Sequence, residues 1–159
     1  MRCPEWVGQG TELLSVYVRD DRCRDGSETA TIALRRAAEL ARLSGATLHI
    51  VSAYPSASAR TLEAKLHLLP DEFRWSVNAD AELKITLEAA LQVAKEVGAK
   101  AETVGRVGDP VDVILATAER VGADLIVIGS RGMERRIFGS VPNSVTHKAQ
   151  CDVLVVQTA

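Results

Sequence analysis

The sequence predicts an α/β domain in which helices cover both faces of a parallel β-sheet. Short continuous apolar runs end at glycine or proline, as in strands buried on both faces, and they alternate with segments whose apolar residues recur at helical spacing. From residue 13 onward the predicted order is β, α, β, α, β, α, β, α, β, which favours a parallel sheet. The 159 residues, 47% of them hydrophobic, suffice for a single domain with a core, in which residues 1–24 form an atypical N-terminal segment.

The first strand is predicted from an apolar run, Leu13 to Val18, which a charged connection, Arg19 to Arg24, follows. Charged residues in a buried central strand would lose their hydration at a large cost in free energy. The first strand is therefore predicted to be displaced upstream or absent. A further hypothesis is that residues 1–24 are a mistranslated or misassigned N-terminus, which the intact mass of the native protein tests.

The first helix is predicted from apolar residues at helical spacing between Ala30 and Ala41, and Gly45 is expected to end it. The second strand is predicted from Thr47 to Tyr54. Residues 56–79 have mixed composition and no clear period, so we interpret them as a loop that covers part of the binding site.

The second half of the chain continues the same alternation. One helix has its apolar stripe from Leu83 to Ala94, and the next opens at Gly108-Asp109-Pro110 and ends at Gly122. The remaining predicted elements are strands from Ala101 to Val107, from Ala123 to Ile128, interpreted as the central strand, and from Val153 to Val156, and a last helix from about Pro142 to Gln150.

A glycine-rich stretch after the fourth strand predicts a phosphate site. Gly129 and Gly132 lie where glycine frees the backbone for tight turning and for close approach of a ligand. Gly139 and Ser140 precede the last helix, and its early Pro142 costs no hydrogen bond because first-turn amides have no partner within the helix. Those amides and the Ser140 hydroxyl can bind an anion, and the hydroxyl can also cap the helix. We expect the anion to be a nucleotide phosphate.

The charge distribution excludes some classes of partner. A formal charge of −2 without a Lys or Arg run argues against nucleic-acid binding, which needs clustered cations. Arg131, Arg135 and Arg136 are the only basic cluster near the predicted site, where they either clamp phosphates or form a solvated face. No apolar run approaches the roughly 18 residues of a membrane span. We therefore expect a soluble protein with neither a nucleic-acid nor a membrane partner.

Residues that carry catalysis or bind metals are not apparent. The cysteines Cys3, Cys23 and Cys151 are odd in number and lack metal-ligand spacing, and the N-terminus lacks a signal peptide's apolar core, which together predict a reduced cytoplasm. No general base, metal-ligand set or Walker lysine is visible near the predicted phosphate site. The sequence therefore predicts binding rather than turnover, with no catalytic and no metal residue and with at most slow, incidental ATP hydrolysis.

Four motifs together resemble the universal stress protein family, in the family's order and across residues 25–158. They are Asp25-Gly26-Ser27 before an alanine-rich helix, Gly108-Asp109-Pro110 before another helix, Asp124 to Gly129, and Gly139-Ser140-Val141. The resemblance implies a five-stranded parallel sheet in an α/β/α sandwich of the adenine nucleotide alpha hydrolase type, with the first strand uncertain in this chain. It also implies a homodimer formed through the last strand and, in different members, binding of ATP, of cyclic AMP or of no nucleotide.

The resemblance also implies roles for individual residues. Asp25 would face the ribose, although it can equally cap the first helix, and Ala53 would offer backbone groups to adenine. The residues implied at the phosphates are Gly129, Arg131, Gly132, Gly139, Ser140 and Val141. If ATP is the ligand, Mg²⁺ would be held mainly by its phosphates.

One departure from the family pattern separates the functional alternatives. Six residues, Met133 to Phe138, lie between the second and third motif glycines, whereas the ATP-binding members place nine there. The shorter loop either closes the triphosphate pocket or leaves amides for a smaller phosphate. We expect an adenine-nucleotide-binding module of the stress response. The alternatives are a dimeric interaction protein that has lost nucleotide binding through this loop, and a weak ATPase.

Overall fold

The computed structural model describes residues 12–17, 26–54, 79–130 and 140–158, in which strands and helices alternate along the chain. The strands are β1 (Glu12–Tyr17), β2 (Thr47–Tyr54), β3 (Lys100–Val107), β4 (Leu125–Ser130) and β5 (Asp152–Gln157). The helices are α1 (Gly26–Ser44), α2 (Ala79–Val97), α3 (Pro110–Val121) and α4 (Ser140–Lys148). The α/β class predicted from the sequence is confirmed.

The strands pair in parallel in the order β3-β2-β1-β4-β5. β1 lies in the middle, where Leu14 pairs with His49 of β2 on one side and with Ile126 of β4 on the other. The prediction that Ala123 to Ile128 is the central strand is therefore wrong, because β4 lies one place away from the centre. Along the chain, β2 and β3 add to one side of β1, and β4 and β5 then add to its other side. In sheets of this kind, ligands bind at the carboxyl ends of the strands, at the point where the strand order reverses.

The first strand is displaced upstream rather than absent. β1 has the sequence ELLSVY and ends at Tyr17, one residue before the predicted end. It therefore precedes the charged run Arg19 to Arg24, which lies outside the described residues. The hypothesis of a misassigned N-terminus stays a hypothesis, but the fold uses residues 12–17 of that segment as its middle strand.

The core has two layers, one on each face of the sheet. The α1 face is packed by α1 and α2, and its buried core includes Leu34, Ala38, Ala41, Leu48, Ile50, Ala90, Ala94 and Val127. The α3 face is packed by α3 and α4, and its buried core includes Val51, Ala53, Val111, Ile114, Ala118, Ile126, Ile128 and Val145. Residues that alternate along β2 and β4 belong to opposite faces, as the pleat of a strand buried on both sides requires.

The predicted helix boundaries have clear local causes. The Asp109 carboxylate accepts hydrogen bonds from the amides of Val111 and Asp112, at 2.9 and 3.3 Å, and Pro110 occupies the first turn of α3. Such a cap satisfies amides that have no partner within the helix. Gly122 ends α3 with φ of 65° and donates its amide to carbonyls of the last turn, a conformation that glycine adopts at the least cost.

Most of the remaining boundaries differ from the predictions by one or two residues. The observed bounds of β2 are those predicted, whereas β4 is shifted toward Ser130 and β5 extends beyond its apolar run at both ends. The last helix starts at Ser140 and ends at Lys148, two residues before the predicted positions at both ends. Polar residues at the strand ends belong to the strands through main-chain pairing. A prediction from apolar runs leaves such residues out.

Candidate functional site

The carboxyl end of the sheet brings together the described parts of the predicted site. Because all strands are parallel, Ala53 of β2 and Gly129 of β4 both lie near this end, on the strands that flank β1. Helix α4, which begins at Ser140, starts from the same end because it follows β4 and leads back to the amino end of β5. The topology therefore brings Ala53 to the same end of the sheet as Gly129 and Ser140, which lie far from it in the sequence.

Ala53 is the next-to-last residue of β2 and is only 1% exposed. Its methyl group belongs to the core on the α3 face, so a ligand beyond the strand end would meet its backbone rather than its side chain. Its direct partner on β3 is Arg106, whose side chain is exposed. A ligand at this strand end could therefore contact the backbone of Ala53, and this is the kind of contact with adenine that the family resemblance implies.

Gly129 lies in β4, where its lack of a side chain is used for packing. A Cβ atom at Gly129 would stand 3.2 Å from the Cβ atom of Ala33 in α1 and 3.3 Å from the Cγ2 atom of Thr158. Among the described glycines, only Gly45, Gly98 and Gly122 have positive φ, so the backbone of Gly129 needs no conformation reserved for glycine. Close packing of α1 accounts for glycine here, and its contact with phosphate stays a prediction.

The exit of β4 is held by the end of β5. The Ser130 hydroxyl donates to the carbonyl of Val156 at 3.3 Å, and the Ser130 carbonyl accepts from both the amide and the hydroxyl of Thr158, at 3.2 and 2.5 Å. Ser130 and Thr158 are both buried. Ser130, which lies between Gly129 and Arg131 of the predicted phosphate site, is therefore held by three hydrogen bonds.

The two helices on the α3 face differ in the charge at their first turns. In α3 the Asp109 carboxylate already occupies the free amides, and Asp112 adds a second acidic side chain. The first turn of α4, from Ser140 onward, contains no acidic residue. Free amides and the helix dipole favour an anion at a helix N-terminus. At the start of α3, acidic side chains neutralise this partial positive charge, whereas the first turn of α4 has no acidic side chain to do so.

The other predicted site residues are placed as follows. Ser140 and Val141 are the first two residues of α4, and Val141 is partly buried against the core on the α3 face. Asp25, Arg131, Gly132 and Gly139 lie outside the described residues. Their proposed contacts with ribose and phosphate stay predictions.

Comparison with known proteins identifies the family. The sequence profile described as "Universal stress protein family" matches residues 23–157, most of the chain. The chain belongs to the universal stress protein family. It is 37% identical over 140 residues to universal stress protein Rv1636 of Mycobacterium tuberculosis, covering 84% of this chain and 92% of that protein. The profile match begins after β1, so the middle strand of the sheet comes from residues that precede the matched region.

Solved universal stress proteins share the fold. A universal stress protein in complex with cAMP is 30% identical, with a TM-score of 0.67 over 95% of this chain and 100% of the other. A universal stress protein from Archaeoglobus fulgidus in complex with dAMP is 28% identical, with a TM-score of 0.60 over 91% of this chain and 96% of the other. Both of these relatives hold an adenine nucleotide.

Metal-ligating residue types do not cluster in the described parts of this universal stress protein. No group of three or more His, Cys, Asp or Glu residues in those parts could hold a metal ion. His49 is buried, with its Nδ1 atom 3.7 Å from Glu102 Oε2 on β3, near the start of β2 and away from the carboxyl end. No described helix has the length and apolarity to cross a membrane.

Cys151 lies just before β5, at the opposite end of the sheet from the candidate site. Burial raises the pKa of its thiol, and the Asp152 and Asp124 carboxylates raise that pKa further. Raising the pKa keeps the thiol protonated near neutral pH, where it is a poor nucleophile. Cys151 is partly buried and packs against the core on the α3 face.

The two residues that sequence reasoning missed are Ser130 and Thr158. Thr158 follows the last strand and is 5% exposed, yet no motif marks it. The only sequence signal is that both residues are polar and lie two positions after the last residue of an apolar run, Ile128 and Val156 respectively. Their contact becomes visible only when β4 and β5 are paired.

Proposed function

We propose that this universal stress protein binds an adenine nucleotide at the carboxyl end of its sheet and acts as a binding module of the stress response. The observation that carries the proposal is the first turn of α4, which begins at Ser140 without an acidic residue, at the end of the sheet where Ala53 lies. Related proteins in complex with cAMP and dAMP support the choice of an adenine nucleotide. The base would lie by β2, and the phosphate would lie between the exit of β4 and α4.

The electrostatics of the two helix starts support this orientation. A phosphate near α3 would meet the carboxylates of Asp109 and Asp112, which repel it. At α4 it would meet main-chain amides without a competing carboxylate in the first turn. The nucleotide is therefore expected to extend from Ala53 toward Ser140, across the carboxyl end of β1.

The short run Met133 to Phe138 supports a ligand with few phosphates. Fewer loop residues offer fewer main-chain amides, so a monophosphate should lose less affinity than a triphosphate. AMP and cyclic AMP are accordingly part of the proposal beside ATP. If ATP binds, Mg²⁺ is expected to be held through its phosphates.

Binding without turnover is part of the proposal. Hydrolysis would need a group that activates water within hydrogen-bond reach of the phosphorus, and the described residues Ser140 and Val141 at the phosphate end supply no such base. A weak ATPase remains the alternative, and measured phosphate release that depends on Ser140 would favour it. The cytoplasmic location predicted from the cysteines belongs to the same proposal.

A homodimer through β5 is also proposed. Of the two outer strands, β3 has charged residues that discourage pairing with a strand of another molecule, and β5 has few. β3 has the charged residues Lys100, Glu102 and Arg106 exposed along its length. Charged side chains on an outer strand prevent another strand from adding to it. β5 carries a charge only at Asp152 and exposes Leu154. A second copy would cover this apolar strand most readily.

Native mass spectrometry of protein purified without added nucleotide, followed by thermal unfolding with and without AMP, cyclic AMP, ADP and ATP, tests the proposal. At a ligand concentration about 100 times Kd, binding should add about 2.7 kcal/mol to the free energy of unfolding. Gly132→Val and Ser140→Ala should each abolish this stabilisation, since one adds a side chain where backbone approaches the phosphate and the other removes a donor. Ser144→Ala, one turn further along α4, is the matched control and should keep it.

The interaction protein without nucleotide is the second candidate. It is favoured by the short run Met133 to Phe138 together with the apolar β5. Unmodified protein that is dimeric but gains no thermal stability from any of the four nucleotides would support this candidate and contradict nucleotide binding.

A further inference from the structure

A cavity of about 390 Å³ opens at the amino end of the sheet, between the last turns of α3 and α4. Its walls are mostly apolar and are formed by Leu115 and Ala118 of α3, Ala123 and Ile126 around the start of β4, and Ala149 after α4. Pockets that bind small molecules measure about 300–1,000 Å³ and have mostly apolar walls. The cavity is therefore large enough for a small ligand, and it lies at the opposite end of the sheet from the candidate nucleotide site.

Two helices end beside this cavity. Glu119 belongs to the last turn of α3, Lys148 is the last residue of α4, and both side chains are exposed at the rim. The C-terminal end of a helix carries a partial negative charge, so two such ends favour a cation between them. Glu119 adds a full negative charge, whereas the long side chain of Lys148 lets its ammonium group stay in water.

The thiol of Cys151, which lines the cavity, reports the sign of the local charge. Burial raises the pKa of this thiol, and the carboxylates of Asp152 and Asp124 raise it further. A carboxylate has this effect where its negative potential reaches the sulfur atom. The cavity thus combines apolar walls with a negative potential, which suits a ligand that has an apolar body and a positive charge.

We propose that this cavity is a second binding site, which takes a small amphipathic amine. The apolar body of the amine lies against Ala118 and Ile126, and its ammonium group lies toward Glu119 and the two helix ends. An anion of the same shape would be repelled by the same charges. The inference goes beyond the proposed function and does not depend on it, because the two sites are at opposite ends of the sheet.

Hexylamine, hexanol and hexanoate test the proposal, because they have similar apolar chains and differ in charge at neutral pH. Each is titrated into isotopically labelled protein without nucleotide. Hexylamine should shift the amide NMR signals of Gly122, Ala149 and Cys151, with a Kd on the order of 1–10 mM. Hexanol should bind more weakly, and hexanoate about tenfold more weakly than hexylamine. No shift with hexylamine, equal affinity for hexanoate, or shifts at Ala53 and Val141 instead would overturn the proposal.

Ala149→Leu fills part of the cavity and should weaken hexylamine binding about tenfold. Ala89→Leu is its matched control, at an exposed position of α2 on the other face of the sheet, and should leave the Kd unchanged.

The exposed Glu119 provides a second variant that keeps the test decisive if Ala149→Leu does not fold. Glu119→Gln should raise the Kd for hexylamine about threefold, the weight of one exposed ion pair. Glu96→Gln, also exposed in the last turn of a helix, is the control and should leave the Kd unchanged. An unchanged Kd in folded Ala149→Leu or in Glu119→Gln would overturn the second site. Nucleotide titration of the same protein tests the proposed function separately.

Discussion

Gly129 of β4 and Ala33 of α1 are in such close contact that a Cβ atom at Gly129 would stand 3.2 Å from the Ala33 methyl carbon. This contact sets how closely α1 approaches the sheet beside the candidate site. It also separates two explanations for glycine at this position, close helix packing and close approach of a ligand. The structure supplies the first, so the two residues should be coupled in stability even without nucleotide.

Gly129→Ala is expected to lower the free energy of unfolding by about 1–3 kcal/mol, because the added methyl group overpacks the contact. Ala33→Gly alone should cost about 1 kcal/mol through the lower helix propensity of glycine. The double variant should be more stable than the sum of the two losses predicts, because Ala33→Gly makes room for the new methyl group. Urea unfolding of all four proteins measures this coupling, and strictly additive losses would contradict the close contact.

Asp109→Ala should lower the free energy of unfolding by about 1 kcal/mol, since it removes the carboxylate that accepts from the amides of Val111 and Asp112. Asp109→Asn keeps a side-chain oxygen that can cap the helix and should lose only a small part of that stability. Denaturant unfolding of the three proteins checks the order. An alanine variant as stable as wild type would show that the cap contributes nothing.

The local sequence predicted the elements better than their arrangement. Asp109, Pro110 and Gly122 mark both ends of α3 because caps and turns depend on neighbouring residues. The central place of β1 was not predictable in this way, because strand order depends on pairing between distant segments. The charged run Arg19 to Arg24 even argued against a buried first strand, and the apolar strand lies directly upstream of it.

Only part of the candidate site could be predicted, because local motifs are visible in the sequence and contacts between distant segments are not. Glycine and serine motifs indicated the phosphate end, and Ala53 came only from resemblance to a family. The contact between Ser130 and Thr158 joins residues far apart in the sequence. It depends on the register of β4 against β5, which no single-sequence pattern reports.

Cys151 should react slowly with alkylating reagents, and its reaction should accelerate only at alkaline pH, because burial and two carboxylates raise its pKa. A Cys3→Ser/Cys23→Ser variant leaves Cys151 as the single thiol, and iodoacetamide labelling against pH measures its titration. Labelling that is half-maximal at or below the roughly 8.5 expected of a free thiol would contradict the raised pKa.

The same shift predicts the pH dependence of stability. The folded state holds the proton of the Cys151 thiol more tightly than the unfolded state does. The contribution of this thiol to the free energy of unfolding is therefore complete below the unfolded pKa and is lost as the pH rises through the folded pKa. Stability should thus fall above about pH 8.5. Cys151→Ala should remove part of this alkaline loss, whereas equal alkaline slopes in both proteins would show that Cys151 contributes nothing to it.

Leu154→Arg should convert the proposed dimer into a monomer, because it places a charge on the exposed apolar residue of β5. Thr103→Arg is the control on the other outer strand, where Thr103 is exposed on β3, and it should leave the dimer intact. Light scattering at micromolar concentration distinguishes the two masses. A monomeric wild type, or dissociation by Thr103→Arg instead, would contradict pairing through β5.

Nucleotide binding at the carboxyl end of the sheet is tested most directly by adding AMP, cyclic AMP and ATP to isotopically labelled protein and following the amide NMR signals. The amides of Ala53, Ser130 and Val141 should shift with at least one of these nucleotides. Those of Thr47, Lys100 and Leu125, at the amino ends of β2, β3 and β4, should stay in place. No shift with any of the three, or shifts confined to the amino ends, would contradict the proposed site.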